Sequence, residues 1–297
     1  MNNNLITVFT PTFNRAYTLE TLYKSLVLQN NKNFEWLIVD DGSTDNTENL
    51  IKEIKKTAPF SIRYLKTTNG GKHRAINKGV KIAKGFLFFI VDSDDFLTND
   101  AIEKLFLWDK SLDKKEKYAG ISGNRGDNSG ELLGTTFVGK YLDATNIERN
   151  KYNILGDKAE AYYTNILKKF PFPEVSGELF MTEDIVWDRI AITGLKIRWF
   201  NDIIYISEHR SDGLIAQGNL RYANSPIGYA MYVLQKEEIF QIKGIEKLYS
   251  GFYYYESVKT NVSLIKASKL LKRNCLLFIF FWIWQTSKIF IKRRLFE

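Results

Sequence analysis

The chain holds a single cysteine, Cys275, among 297 residues. That excludes an intrachain disulfide and fits a reducing compartment. Five prolines, no low-complexity tract and no internal repeat argue for continuous folded structure rather than linkers. The start, Met1-Asn2-Asn3-Asn4-Leu5, lacks the basic region and apolar core of a secretory signal, so the expected compartment is the cytoplasm. Acidic residues are scarce at one end. From Lys266 to Glu297 there are eight basic residues and one acidic, a net +7 of the chain's +8. The basic excess therefore surrounds an apolar tail, which points to an anionic membrane surface rather than to nucleic acid.

A hydrophobic content of 44% and an aromatic content of 14% support a substantial core, in one large domain or two of ordinary size. The first hundred residues alternate strand and helix signals. Leu5 to Phe9 reads as a short strand broken by Pro11. Leu19, Leu22, Tyr23 and Leu26 have helical spacing. Phe34 to Val39 is a second strand, and Asp45 with Glu48 has capping-box spacing before a helix. Ile62 to Leu65, then Phe86 to Val91, give two more strands around a helix carrying Ile76, Val80 and Ala83. Asp100 to Asp109 reads as a further helix. Such alternation predicts a mostly parallel sheet with helices on both faces. Beyond Tyr118 it stops: Gly120 to Gly139 has hairpin-like signals, Lys196 to Phe200 and Ile203 to Ser207 look like separate short strands, and the chain is helical from Pro226 on.

Three polar clusters follow three of these strands. They are Thr10-Pro11-Thr12-Phe13-Asn14-Arg15, Asp40-Asp41-Gly42-Ser43 and Asp92-Ser93-Asp94-Asp95. Taken singly, the second reads as a turn and helix cap and the third as a solvated loop. In a parallel sheet all three strand ends share one edge, where such folds bind ligands. Three carboxylates within four residues repel one another unless a cation joins them, and a divalent metal with oxygen ligands suits that need.

In order and spacing, Thr-Pro-Thr-Phe-Asn-Arg, Val-Asp-Asp-Gly-Ser-Thr-Asp and Asp-Ser-Asp-Asp resemble the family 2 glycosyltransferases of the GT-A fold. The resemblance is strong over Leu5 to Asp109, weaker to about Ser211 and slight beyond. Asn69-Gly70-Gly71-Lys72-His73, with Asn77 and Gly79, is similar to a segment of bacterial members. The resemblance implies an α/β, GT-A-type Rossmann-like sheet flanked by helices, with the catalytic domain over residues 1–222, and the helical pattern that follows adds a C-terminal helical extension over 223–297. The resemblance also implies inverting transfer from a nucleotide sugar, with UDP-sugars favoured and Mn2+ or Mg2+ as cofactor. The expected acceptor is a glycan or lipid-linked saccharide in capsule, O-antigen or other surface polysaccharide assembly.

Carried over position by position, Asp40 accepts from the nucleotide base, Pro11, Thr12 and Asn14 face the nucleotide, and Asp92 and Ser93 lie at the donor. Asp94 contacts the metal with Asp92 nearer the ribose, while Asp95 orients either the metal shell or the acceptor side. Lys72 is a candidate second cation and His73 a candidate nucleotide contact. The base that deprotonates the acceptor hydroxyl falls on Asp184, with Glu183 as the alternative, in Met181-Thr182-Glu183-Asp184. Acidic residues are also favoured at a helix N-terminus for its dipole alone.

His209 and Arg210 are candidates for holding metal or diphosphate, or part of a polar loop. The processive members' Gln-x-x-Arg-Trp is absent, which disfavours a processive synthase. Cys275 to Trp284 is ten apolar residues, short of the about 20 that a spanning helix needs. With cationic flanks, 266–297 is expected to lie peripherally in the inner membrane interface. A buried bundle helix, an oligomer contact and a short span are the alternatives. A sugar nucleotidyltransferase is the competing enzyme class, disfavoured because Thr10 to Arg15 has no glycine. A non-catalytic nucleotide-sugar-binding protein and a phosphoacceptor domain are further alternatives.

Overall fold

The computed structural model describes residues 5–208 and 218–296, with side chains as far as Lys288. His209 and Arg210 lie outside the described residues. Two compact units are present: Met1–Phe172 with Val186–His209, and Pro173–Ile185 with Arg210–Glu297.

The first unit begins β1 (Ile6–Thr12), α1 (Ala16–Val27), β2 (Phe34–Asp40), α2 (Thr47–Thr57), β3 (Ser61–Lys66), α3 (Lys72–Ile82), β4 (Leu87–Ile90). It continues β5 (Phe96–Leu97), α4 (Ala101–Lys110), β6 (Tyr118–Gly126), β7 (Tyr141–Ala144), β8 (Lys158–Tyr163) and α5 (Thr164–Leu167). Helix α6 (Asp184–Ala191), whose first two residues are assigned to the second unit, precedes β9 (Lys196–Ile206). The nine strands form one sheet in the order β3-β2-β1-β4-β8-β6-β9-β5, with β7 also on β9.

Strands β1 to β4 are mutually parallel, as the alternation predicts. The other half is mixed: β8 runs antiparallel to β4 and β6, β9 lies parallel to β6, and β5 and β7 pair antiparallel with β9. Every residue of β1, β2 and β4 is buried, the signature of strands covered on both faces. Leu19, Leu22 and Leu26 of α1 and Ile51 and Ile54 of α2 supply the helical side of that core.

Pro11 does not break β1, which runs on to Thr12 with Pro11 opposite Val39. The carbonyl of Phe9 accepts from Val91 and that of Thr12 from Asp41. Residues 9 and 11 therefore point toward β4, and 10 and 12 toward β2. Pairing with β4 ends at Phe9, so the missing N–H of Pro11 faces a side where no ladder bond is needed.

The two short strands expected over 196–207 are one, β9, whose register against β6 shifts between Ser122 and Asn124. The bulge absorbs Asn201 and Asp202, which look like a break in the sequence. The expected capping box at α2 does not form either. Asp45 instead accepts from the backbone of Ala16 and from Thr47, and Glu48 pairs with Lys52 and Lys66.

The second unit is helical: α7 (Leu220–Ala223), α8 (Pro226–Ile239), α9 (Gly244–Val258), α10 (Leu264–Leu270) and α11 (Cys275–Phe296). Its core gathers Ala230, Val233, Tyr254, Val258, Leu271 and Phe278. Glu178 is buried and accepts from the backbone N–H groups of Ile227 and Gly228 at 2.7 Å each, capping the first turn of α8. No helix among the described residues is long and apolar enough to cross a membrane.

Candidate active site

Because β1, β2 and β4 are parallel, the three polar clusters leave the sheet at one edge. Side-chain-to-backbone bonds then tie the loops together. Asn14 has φ +52°, in the left-handed region that asparagine tolerates. Its N–H donates to Ser43 Oγ at 2.8 Å, and its Oδ1 accepts from Thr44 N at 2.8 Å. Asp41 is buried and accepts from Gly70 N at 2.8 Å and Gly71 N at 2.6 Å. Gly71, at φ +93°, then delivers the chain into α3.

Lys72, the first residue of α3, places Nζ 2.6 Å from Asp92 Oδ1. Gly79 on the same helix sits against β1: a Cβ there would meet the Phe9 ring at 2.2 Å. Only glycine lets α3 lie this close, and the closeness brings Lys72 to the carboxylates.

Asp92, Asp94 and Asp95 have three different surroundings. Burial opposes the charge of Asp92, but Lys72 and Arg125 outweigh it and hold its carboxyl below the usual range. Burial and the neighbouring Asp92 raise the carboxyl of Asp94, against the opposing pull of Arg15. Asp95 is buried, accepts from Tyr205 Oη at 2.6 Å and Glu208 N at 3.0 Å, and is pushed up to about 7 by burial and by Asp92. Tyr205 Oη also accepts from Asp92 N at 3.0 Å, and the Arg125 guanidinium lies 4.1 Å from the centre of the Tyr205 ring. Asp95 thus fastens the carboxylate turn to the end of β9 and is not aimed outward.

Of the other candidates, Thr12 and Ser93 are buried at the same edge. Thr12 Oγ1 is buried without a hydrogen-bond partner among the described residues, a polar atom whose partner a ligand can supply. His73 is buried on α3. Asp40 is fully buried, and its two oxygens accept from Ser43 N at 2.7 Å and from the Tyr64 hydroxyl. A base N–H would have to take a second lone pair on one of those oxygens.

On the second unit, Asp184 opens α6 and is 39% exposed, with Lys236 Nζ at 3.7 Å and Tyr232 Oη at 3.5 Å from Oδ2. It is a carboxylate accessible to a substrate proton with a cation beside it. Glu183 immediately precedes this helix.

Asp41, Arg125 and Tyr205 are site residues that sequence reasoning missed. Asp41 lies inside a motif that the sequence reading assigned to Asp40 alone. The other two are brought in by β6 and β9, with no local signal.

The donor set suits a metal that arrives with a ligand. Asp92 is shared with Lys72, Asp95 is held by Tyr205, and no group of three or more His, Cys, Asp or Glu among the described residues is arranged as a cage. Mg2+ and Mn2+ are commonly bound through one or two carboxylates and completed by substrate phosphates and water, which Asp94 with Asp92 can provide.

Residues 7–158 match the family described as glycosyl transferase family 2, and the chain belongs to that family of enzymes. Chondroitin synthase of Pasteurella multocida strain Pm70 is 37% identical over 111 residues, 36% of this chain and 11% of its own. The chain spans between 11% and 17% of the length of the first curated relatives it matches. Among solved structures, TarS 1–349 of S. aureus in complex with UDP-GlcNAc superposes with a TM-score of 0.59 at 18% identity, covering 89% of this chain and 86% of that one. The mannosyltransferase PcManGT of Pyrobaculum calidifontis, in complex with GDP-Man and Mn2+, gives 0.57 at 17% identity over 89% and 74%. At these identities the likeness is one of fold.

Proposed function

We propose that the chain is an inverting, metal-dependent, non-processive glycosyltransferase. It moves one sugar from a nucleotide sugar, a UDP-sugar in the favoured case, to a glycan or lipid-linked saccharide in cell-surface polysaccharide synthesis. The observation that carries this reading is the convergence of Asp92, Asp94 and Lys72 at the edge where β1 also ends, with the Thr12 hydroxyl buried and without a partner among the described residues. The family membership and the nucleotide sugars bound by the structural neighbours agree with it.

Thr12, Asn14 and Asp40 bound the nucleoside side. Lys72 offers its ammonium to the diphosphate, exchanging a carboxylate for a phosphate oxygen. Asp94 and Asp92 would hold a divalent cation, which would supply charge neutralisation of the diphosphate leaving group. Asp184 takes the proton of the acceptor hydroxyl as that oxygen bonds to the anomeric carbon. The bond from that carbon to the diphosphate breaks with its electron pair leaving on the nucleotide. One displacement of this kind inverts the centre.

The test is calorimetric titration of a panel of nucleotide sugars with and without Mn2+, on wild type and Asp94→Ala, followed by a transfer assay on Asp184→Asn. Metal-dependent binding of one sugar nucleotide, lost in Asp94→Ala, is expected, with Asp184→Asn binding donor normally but losing at least about a hundredfold in transfer. Full transfer by both variants would overturn the residue assignment, and binding of no nucleotide sugar would overturn the donor reading.

A further inference from the structure

Helix α11 has two opposed apolar faces. Phe278, Phe281 and Gln285 are buried, and Phe278 sits in the core of the second unit with Ala267 and Leu271. On the other side Leu276 is 69% exposed and Phe280 70%, with Leu277, Ile283 and Trp284 also exposed. At about 100° per residue these five fall within an arc of about 120°, so they form one stripe. A helix buried along one side is anchored in its unit, yet this stripe stays largely exposed.

The segment that carries the stripe has one sign of charge. Lys266, Lys269 and Lys272 are exposed just before the helix, and Lys288 lies 3.5 Å from the centre of the Trp284 ring. Arg273 is turned inward onto Glu237. From Lys266 to Lys288 the sequence has no aspartate or glutamate. Two copies placed face to face would set this lysine-rich segment against itself, and the carboxylate that α9 brings to the helix, Glu256, is already paired with Lys259 and Trp282. An anionic bilayer surface answers both features: lipid acyl chains meet the stripe, headgroup phosphates meet the lysines, and the Trp284 indole suits the boundary.

We infer that the exposed face of α11, with the lysines of α10 and its C-terminal turn, is a monotopic docking surface for anionic lipid. The helix lies in the plane of the membrane, held by its buried face and not spanning. This inference rests on the chemistry of the face and not on the transfer reaction.

The experiment is flotation of the full chain, without nucleotide, with vesicles of phosphatidylcholine alone or with phosphatidylglycerol replacing part of it. Wild type is expected to bind the anionic vesicles on the order of tenfold or more better, and Lys266→Gln/Lys269→Gln to lose roughly fivefold per charge. Phe280→Ser/Trp284→Ser changes exposed side chains only, and it is expected to lose about tenfold with its circular dichroism unchanged. Equal binding to both vesicles, or no binding, would overturn the inference. So would a wild-type dimer in light scattering that Phe280→Ser/Trp284→Ser returns to monomer, since the face would then belong to a second copy. Donor titration on the same samples separates the two readings: a chain that binds no nucleotide sugar yet floats with anionic vesicles upholds this inference alone.

Discussion

Lys158 shows how a single buried group can be read through pH. It begins β8, its Nζ donates to the Thr135 carbonyl at 2.7 Å, and burial together with Arg149 brings its ammonium down from the ordinary 10.5 to about 8. Below pH 8 both the folded and the unfolded chain carry the proton. Between about 8 and 10.5 the unfolded chain holds a proton that the folded chain has released, so this group makes stability rise with pH across that window. Lys158→Met removes this titration. The stability of Lys158→Met relative to wild type should therefore fall steadily from pH 8 to pH 10 in urea titrations, and a difference that stays constant would refute the assignment.

Much of the candidate site was legible at this scale because its residues stand in short runs after strands. What was not legible came from long range. Tyr205 meets Asp92 and Asp95 across more than a hundred residues, and Arg125 reaches them from β6 at 3.7 to 3.9 Å. No local pattern announces either.

At the scale of elements, helix α3 is placed by what it lacks. Gly79→Ala would drive a methyl into the Phe9 ring, which is fixed in a packed core between strands. The helix must then lift or the ring turn, at a cost of about 1 to 3 kcal/mol. Since Lys72 stands at the head of this helix, nucleotide-sugar affinity should fall together with the melting temperature. Loss of stability with unchanged affinity would show that α3 is not what positions Lys72.

The element boundaries that the sequence missed also have physical causes. Pro11 looks like a breaker because one dimension does not show which way its nitrogen points. Asn201-Asp202 looks like a gap because a bulge resembles a turn in one dimension. The helices of the first unit were legible because Leu19, Leu22 and Leu26, spaced three and four apart, all reach zero exposure.

At the scale of the whole molecule, one cluster of buried side chains lies around the sheet and another among the helices of the second unit. Phe278 is 1% exposed in the latter, and Phe278→Ala should cost about 3 to 5 kcal/mol. Hydrogen exchange should locate that loss in α8 to α11 while β1 to β4 keep their protection. A uniform loss over both units would show that the cores melt as one. The parallel half of the sheet was readable from alternation alone. The mixed half was not, because β6 to β9 pair out of chain order and no local spacing encodes an antiparallel neighbour.

The bonds between loops at the strand edge bear on inheritance. Asn14 is tied to Ser43 and Thr44, Asp41 to Gly70 and Gly71, and Lys72 to Asp92. A mutation in one loop therefore leaves a partner in the next without its bond. Descendants of this chain should explore new donors by changing these positions in concert, and single-step paths between specificities should pass through weakened intermediates.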